Sequence, residues 1–242
     1  MRFALSLAGA GVFVCAALIS GVSFAQNHTF VNNDPIRAQL LTLGKPGVTI
    51  ALARDHVIEI LQSKNSCSAW FQEVDPNAAS TFASLKFIVE TNGPQAVLGL
   101  RLRPGEMLLK HPYAARAMEN AGGNSIVVLN AKGAFFVPVA VVLQQEDMSD
   151  LFHASGWRYL QVGSYRGDTL AAQITILLHE LGHVVGRLPE DSDELSGQSE
   201  RNTAEVLRFC RAQIKAAPGS GPLAQNPRSG QPAQKTPLNR SR

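Results

Sequence analysis

Apolar residues recur along the chain in two rhythms. In "TIALARDHVIEILQS" (49–63) they return every three or four positions, the period of a helix with one face in a core. "NAASTFASLKFIVE" (77–90) reads the same way, and a second helix is expected there. "SIVVLNAKGAFFVPVAVVL" (125–143) differs, because β-branched and aromatic runs flank "NAKG". That pattern predicts a β-hairpin whose turn uses Gly133 at positive φ. Pro138 then implies that the second strand bends or lies at a sheet edge. "GDTLAAQITILLHELGHVVG" (167–186) is the strongest helical segment, with Asp168 as N-cap and Gly186 as its stop. "NTAEVLRFCRAQIKA" (202–216) predicts a last helix with the apolar stripe Thr203, Val206, Leu207, Cys210 and Ile214. Its first letters fit a capping box, Asn202 as N-cap and Glu205 at the third helical position. Helices and a hairpin in one chain predict an α+β fold, and no internal repeat is visible.

The two ends follow other rules. Residues 1–25 carry one positive charge and a long apolar run, and end with small Ser23 and Ala25. This predicts a signal peptide cleaved after Ala25. The alternative is an uncleaved anchor, since the run is about long enough to span a bilayer. No second apolar run approaches that length. The expectation is a periplasmic or extracellular protein with no stable membrane span after signal cleavage. Residues 216–242 are Pro, Gly, Ser and Gln without apolar period, a composition expected to be disordered. That leaves 26–215 as one folded domain.

Charge changes the picture only after these ends are set aside. The chain of 242 residues has 22 basic and 19 acidic side chains, a net charge of +3. Arg2, Arg228, Lys235, Arg240 and Arg242 lie in the two ends, which hold no acid. Without those five, 17 basic residues face 19 acidic ones, a balance of −2, so no basic nucleic-acid face is expected on the folded part. Of the three cysteines, Cys15 belongs to the leader, and Cys67 and Cys210 remain as an even pair. Neither has a CxxC partner or an adjacent histidine, so in an oxidising compartment a structural disulfide is expected. It would tie the last helix to the N-terminal half.

The candidate chemistry sits on the 167–186 helix. At about 100° per residue, Leu170, Ile174, Leu177, Leu181 and Val184 share one face. His179 and His183 fall on the opposite face, with Ala172, Thr175 and Ile176 on their side. Four-residue spacing lets both imidazoles point a nitrogen at one ion. Glu180 lies about 100° round from His179. There it can reach a water on the ion without ligating the ion, and take a proton from that water.

The sequence "HELGH" (179–183) has the HExxH pattern and resembles the zincin zinc metallopeptidases. Uncharged Ile176, Leu177, Leu181, Gly182, Val184 and Val185 extend the likeness. With Gly186, "HELGHVVG" is similar to the HExxHxxG opening of the metzincins. The match covers about twenty residues and then departs. Pro189 stands where the metzincin third histidine would be, and all four methionines precede the motif. The resemblance implies a zincin-like α+β fold in which the motif helix packs against a small β-sheet. It implies one Zn2+ held by His179, His183 and an acid, with Glu180 as general base and then acid. A peptide or protein would be the substrate, held extended along an edge strand for which the 125–143 hairpin is the candidate.

Asp191, Asp193, Glu200 and Glu205 compete as third ligand. Gly186 and Pro189 force the chain to turn within "GRLPED", and Asp191 is the first acid past that turn free of the proline. Asp191 is favoured and Asp193 comes second, while Glu205 is better explained as a helix cap. Tyr159 and Tyr165 could offer a phenol to an oxyanion, though packing explains them better. Asn27 opens the glycosylation sequon "NHT". Two other functions stay open: a non-enzymatic envelope protein with a structural metal or a metal-free histidine pair, and a zinc amidohydrolase acting on a non-protein amide.

Overall fold

Residues 34–93, 95–100, 107–145, 152–191 and 197–218 are described by a computed structural model. The leader, the sequon at Asn27, Asp193 and most of the tail lie outside the described residues. Met1–Asp34 and Pro35–Arg242 separate as two units, and the described helices and strands belong to the second. Among the described residues, it combines six helices with three small sheets, an α+β fold.

Helix α1 (Pro35–Leu41) leads into α2 (Lys45–Gln62). The second helix starts before position 49 because Pro46 sits in its first turn, where proline needs no donor. Gly47 lets the two helices meet, since a Cβ there would lie 1.7 Å from the Leu40 carbonyl oxygen. Helix α3 (Ser66–Gln72) opens on a reciprocal capping box between Asn65 and Ser68. Helix α4 (Ala78–Ala83) takes only the first half of the helix expected over 77–90. The second half is strand β1 (Lys86–Glu90). Its "KFIVE" run pairs in parallel with β5 (Ile126–Asn130), from Lys86↔Ile126 to Glu90↔Asn130. Phe87 and Val127 are buried by that pairing, which overrides a weak helical preference.

The hairpin expected over 125–143 does not form. Strand β5 lies in a three-stranded sheet of order β1-β5-β4, where β4 is Ala115–Arg116. Strand β6 (Val139–Gln145) belongs to a separate antiparallel sheet of order β2-β3-β6-β7. The others there are β2 (Gln95–Leu100), β3 (Met107–Pro112) and β7 (Phe152–Tyr159). The intervening "GAFF" is the reason. Phe135 is fully buried, and Gln173 Nε2 donates to its carbonyl at 3.0 Å, so the chain dives into the core instead of reversing. Gly133 is not at positive φ. It is needed because its backbone crosses close to Tyr113, whose carbonyl oxygen would lie 2.3 Å from a Cβ. Nor is β6 an edge strand. Pro138 stands just before it, where proline breaks no ladder bond, and accepts from Leu160 N at 3.0 Å.

Strands β8 (Gln161–Val162) and β9 (Tyr165–Arg166) make a two-stranded ribbon that feeds α5 (Leu170–Val184). The N-cap is Thr169, one residue later than expected, and its Oγ1 accepts from Ala172 N at 3.3 Å. Asp168 is instead a left-handed residue, φ 58°. Helix α6 (Gln198–Ala216) closes the fold. It starts at Gln198, so the capping box expected at Asn202 does not exist, and Asn202 lies inside the helix. Among the described residues, no helix is long and apolar enough to cross a membrane.

Helix α5 is buried round its whole circumference from Ala171 to Val184. It packs against α2 and α6, with β4, β8 and β9 along its polar side. Cys67 on α3 and Cys210 on α6 form the expected disulfide across a separation of 143 residues. By loop-closure entropy so long a link is worth about 5 kcal/mol, less whatever strain it carries. Replacing both cysteines with alanine should therefore cost about 2–5 kcal/mol in denaturant unfolding. An unchanged midpoint and slope would show that the link adds nothing to stability.

Candidate metal centre

The buried circumference of α5 means that its polar residues are core residues. His179, Glu180 and His183 are only 5%, 4% and 5% exposed. Their spacing does what helix geometry requires. The two rings stand 4.8 Å apart at 64°, and their Nε2 atoms approach to 2.9 Å. Two imidazole nitrogens at that distance need a shared proton or a cation between them.

The end of the helix brings in the third group. Gly186, at φ 69°, ends α5 with a Schellman pair: Gly186 N to His183 O at 3.0 Å and Arg187 N to Gly182 O at 2.8 Å. Leu188 then folds back onto Gly182, where a Cβ would lie 2.5 Å from the Leu188 Cδ1. The glycine inside "HELGH" is thus the seat of the turn. Pro189 follows, and the reversed chain delivers Asp191. Its Oδ2 lies 3.1 Å from His179 Nε2, and its Oδ1 3.5 Å from His183 Nε2.

These three side chains form a group that could hold a metal ion. The fit can be judged from the contacts among the donor groups: 2.9 Å between the two Nε2 atoms, 3.1 Å from His179 Nε2 to Asp191 Oδ2 and 3.5 Å from His183 Nε2 to Asp191 Oδ1. Ligands about 2.0–2.1 Å from a tetrahedral ion stand roughly 3.3 Å apart, and each of these contacts lies near that spacing. Two imidazoles and a carboxylate suit zinc and also other first-row divalent ions, so the donor set alone does not name the metal.

Electrostatics inside the group follow from burial and proximity. Burial disfavours a charged Asp191, but hydrogen bonds from His179 and His183 and the His179 charge overcome this and hold its carboxyl well below the usual range. Burial would lower His183, yet the hydrogen bond to Asp191 and the charges of Glu180 and Asp191 raise it. Glu180 is pushed up, chiefly by burial, against the pull of the two histidines and the backbone of Ala117. Its Oε2 is buried with no hydrogen-bond partner. A buried oxygen left so is costly, which marks the place as kept for something other than stability.

A second layer holds the first. Thr203 Oγ1 on α6 lies 3.0 Å from His179 Nδ1. Asn202 Nδ2 donates to Asp191 Oδ1 at 2.7 Å and to the Pro189 carbonyl at 2.8 Å. Sequence reading missed both roles. Thr203 counted only as part of the apolar stripe, and Asn202 only as a cap. The signal was there in part: a polar residue on the buried stripe of α6 needs a partner.

The group opens into a cleft of about 610 Å³. Tyr113–Ala117 of the β4 segment line one wall, and Arg158 with Leu160–Gly163 another. Compared with protein-family models, with curated proteins and with solved structures, the chain matches none. Asp193 lies outside the described residues; the other candidates separate cleanly. Glu200 and Glu190 line the cleft but are not in the three-donor group. Glu205 lies outside it and pairs with Arg208 at 3.6 Å. Tyr159 is exposed beneath the Arg166 guanidinium, and Tyr165 buries its hydroxyl elsewhere; neither lines the cleft. The phenol at the cleft is Tyr113, but its hydroxyl bonds Glu90 and its pKa is pushed up to about 12, by burial first and then by that bond.

Proposed function

We propose that this chain is an exported zinc-dependent metallopeptidase that hydrolyses peptide bonds. One observation carries the reading. Three donor atoms converge from His179, His183 and Asp191, and the buried carboxylate of Glu180, with one oxygen unpartnered, stands beside them. Among the described residues three protein donors converge, and three leave a coordination position open, as catalytic zinc sites do, whereas structural sites close it with a fourth. That favours an enzyme over a structural metal. Export rests on the apolar leader and on a disulfide suited to an oxidising compartment.

A zinc ion held there would supply Lewis acidity, polarising a carbonyl and making water more acidic. The chain's own residues do the rest. Glu180 takes the proton of the attacking water and returns it to the leaving nitrogen, as general base and then acid. Burial keeps its carboxyl higher than usual, which suits both halves of that transfer. Among the described residues, strand β4 pairs only with β5 in its sheet and lines the cleft, so its other edge suits the addition of an extended peptide. This edge replaces the 125–143 segment as the substrate strand, and it favours a peptide over a compact non-protein amide.

The test is hydrolysis of a quenched-fluorescence peptide library by the purified chain. Cleavage should stop with a chelator and return on adding zinc. A zinc-loaded protein that cleaves no member of the library would remove the peptidase reading.

A further inference from the structure

We infer that Asn202 and Thr203, adjacent on α6, are positioning residues that set metal affinity, one through Asp191 and the other through His179. The inference rests on the metal-site reading above but not on peptidase activity. Consecutive helical positions point about 100° apart, which suits service to two different ligands. Both side chains are buried, at 3% and 9% exposure, and both residue types are poor helix formers in a helix interior. Helical preference does not account for either residue.

The sense of the Asn202 amide is fixed by a chain of donors. A guanidinium can only donate, so Arg201 Nη2, 2.8 Å from Gln198 Oε1, sets which end of that amide is oxygen. Gln198 Nε2 then donates to Asn202 Oδ1 at 2.8 Å. The Asn202 NH2 is left facing Asp191 and the Pro189 carbonyl. Asn202 thereby fixes the carboxylate of Asp191 through Oδ1, with Oδ2 turned toward His179 Nε2 at 3.1 Å. The bond to Pro189 fixes the backbone of the turn that carries Asp191. On the other ligand, an Nε2 that gives its lone pair to a metal requires the proton on Nδ1, and Thr203 Oγ1 is placed to accept it.

The test measures zinc affinity by chelator competition on the full chain, together with the visible spectrum of the cobalt(II)-loaded protein and the unfolding midpoint. Thr203→Val keeps the volume and removes the acceptor; Asn202→Ala removes the donor. Each should weaken zinc by about 10- to 100-fold and alter the cobalt spectrum. Thr203→Ser should restore both, and Thr203→Val should lose more zinc affinity than any change in its unfolding midpoint accounts for. Wild-type affinity, within about threefold, in both variants would overturn the inference while leaving the metal site standing. So would losses that merely track the unfolding midpoint and are not rescued by serine. A wild-type chain that takes up no zinc would overturn the metal reading and this inference with it.

Discussion

Glu180→Gln should abolish most hydrolysis while leaving zinc and fold in place. General acid–base transfer is worth about 10²–10⁴-fold, which corresponds to roughly 3–5 kcal/mol of barrier. Glutamine keeps the shape and an oxygen for the Ala117 backbone, but it cannot take a proton. Zinc should stay because Glu180 is outside the three-donor group. Stability should hold or rise. The carboxylate is 4% exposed with one oxygen unpartnered, and a neutral amide costs less to bury than a charge. The separation of effects is the point of the experiment: metal content and unfolding midpoint at wild-type values, turnover lost. Unchanged turnover would take Glu180 out of the chemistry. Lost zinc would make it a ligand and close the open position on which the enzyme reading depends.

How much of this was legible in the sequence depends on the range of the forces involved. The motif helix was, because its signal is local. Histidines one turn apart, a Gly stop and a proline beyond it are read within twenty residues, and the structure moves only the N-cap, from Asp168 to Thr169. The Cys67–Cys210 link was legible by counting. What failed was non-local. "LKFIVE" becomes strand or helix according to a partner forty residues away, Ile126–Asn130. Two β-rich runs around "NAKG" form a hairpin only if nothing between them is needed in the core, and Phe135 is needed there. Asn202 shows the same limit at the site. Its four-letter context fits a cap, but the helix begins earlier and the side chain is used by Asp191, eleven positions upstream. Local rules place the ligands on their helix; they do not reveal what holds those ligands still.

Asp191→Ala should lower zinc affinity by more than about 100-fold, beyond what loss of a supporting partner costs. Two imidazoles remain in that variant, and each is neutral when it coordinates. The only anionic donor in the group is gone, along with the charge that balances a divalent ion in a buried place. Among the described residues, the acids of the same cleft that could compensate are Glu119, Glu190 and Glu200. They are poorly placed to do so. The short Asp191 side chain is delivered by a turn locked at Gly182, Gly186 and Leu188, and it is held by Asn202. Glu200→Ala should accordingly leave affinity within about threefold. Glu205→Ala should do the same and cost no more than about 0.5 kcal/mol of stability, because its pair with Arg208 is a surface one and it caps nothing. Zinc titration of the three variants decides the matter. If Asp191→Ala binds zinc like wild type while Glu200→Ala does not, the third donor comes from α6. The helix that holds the ligands would then itself supply one, and the turn after Gly186 would serve only to shape the cleft.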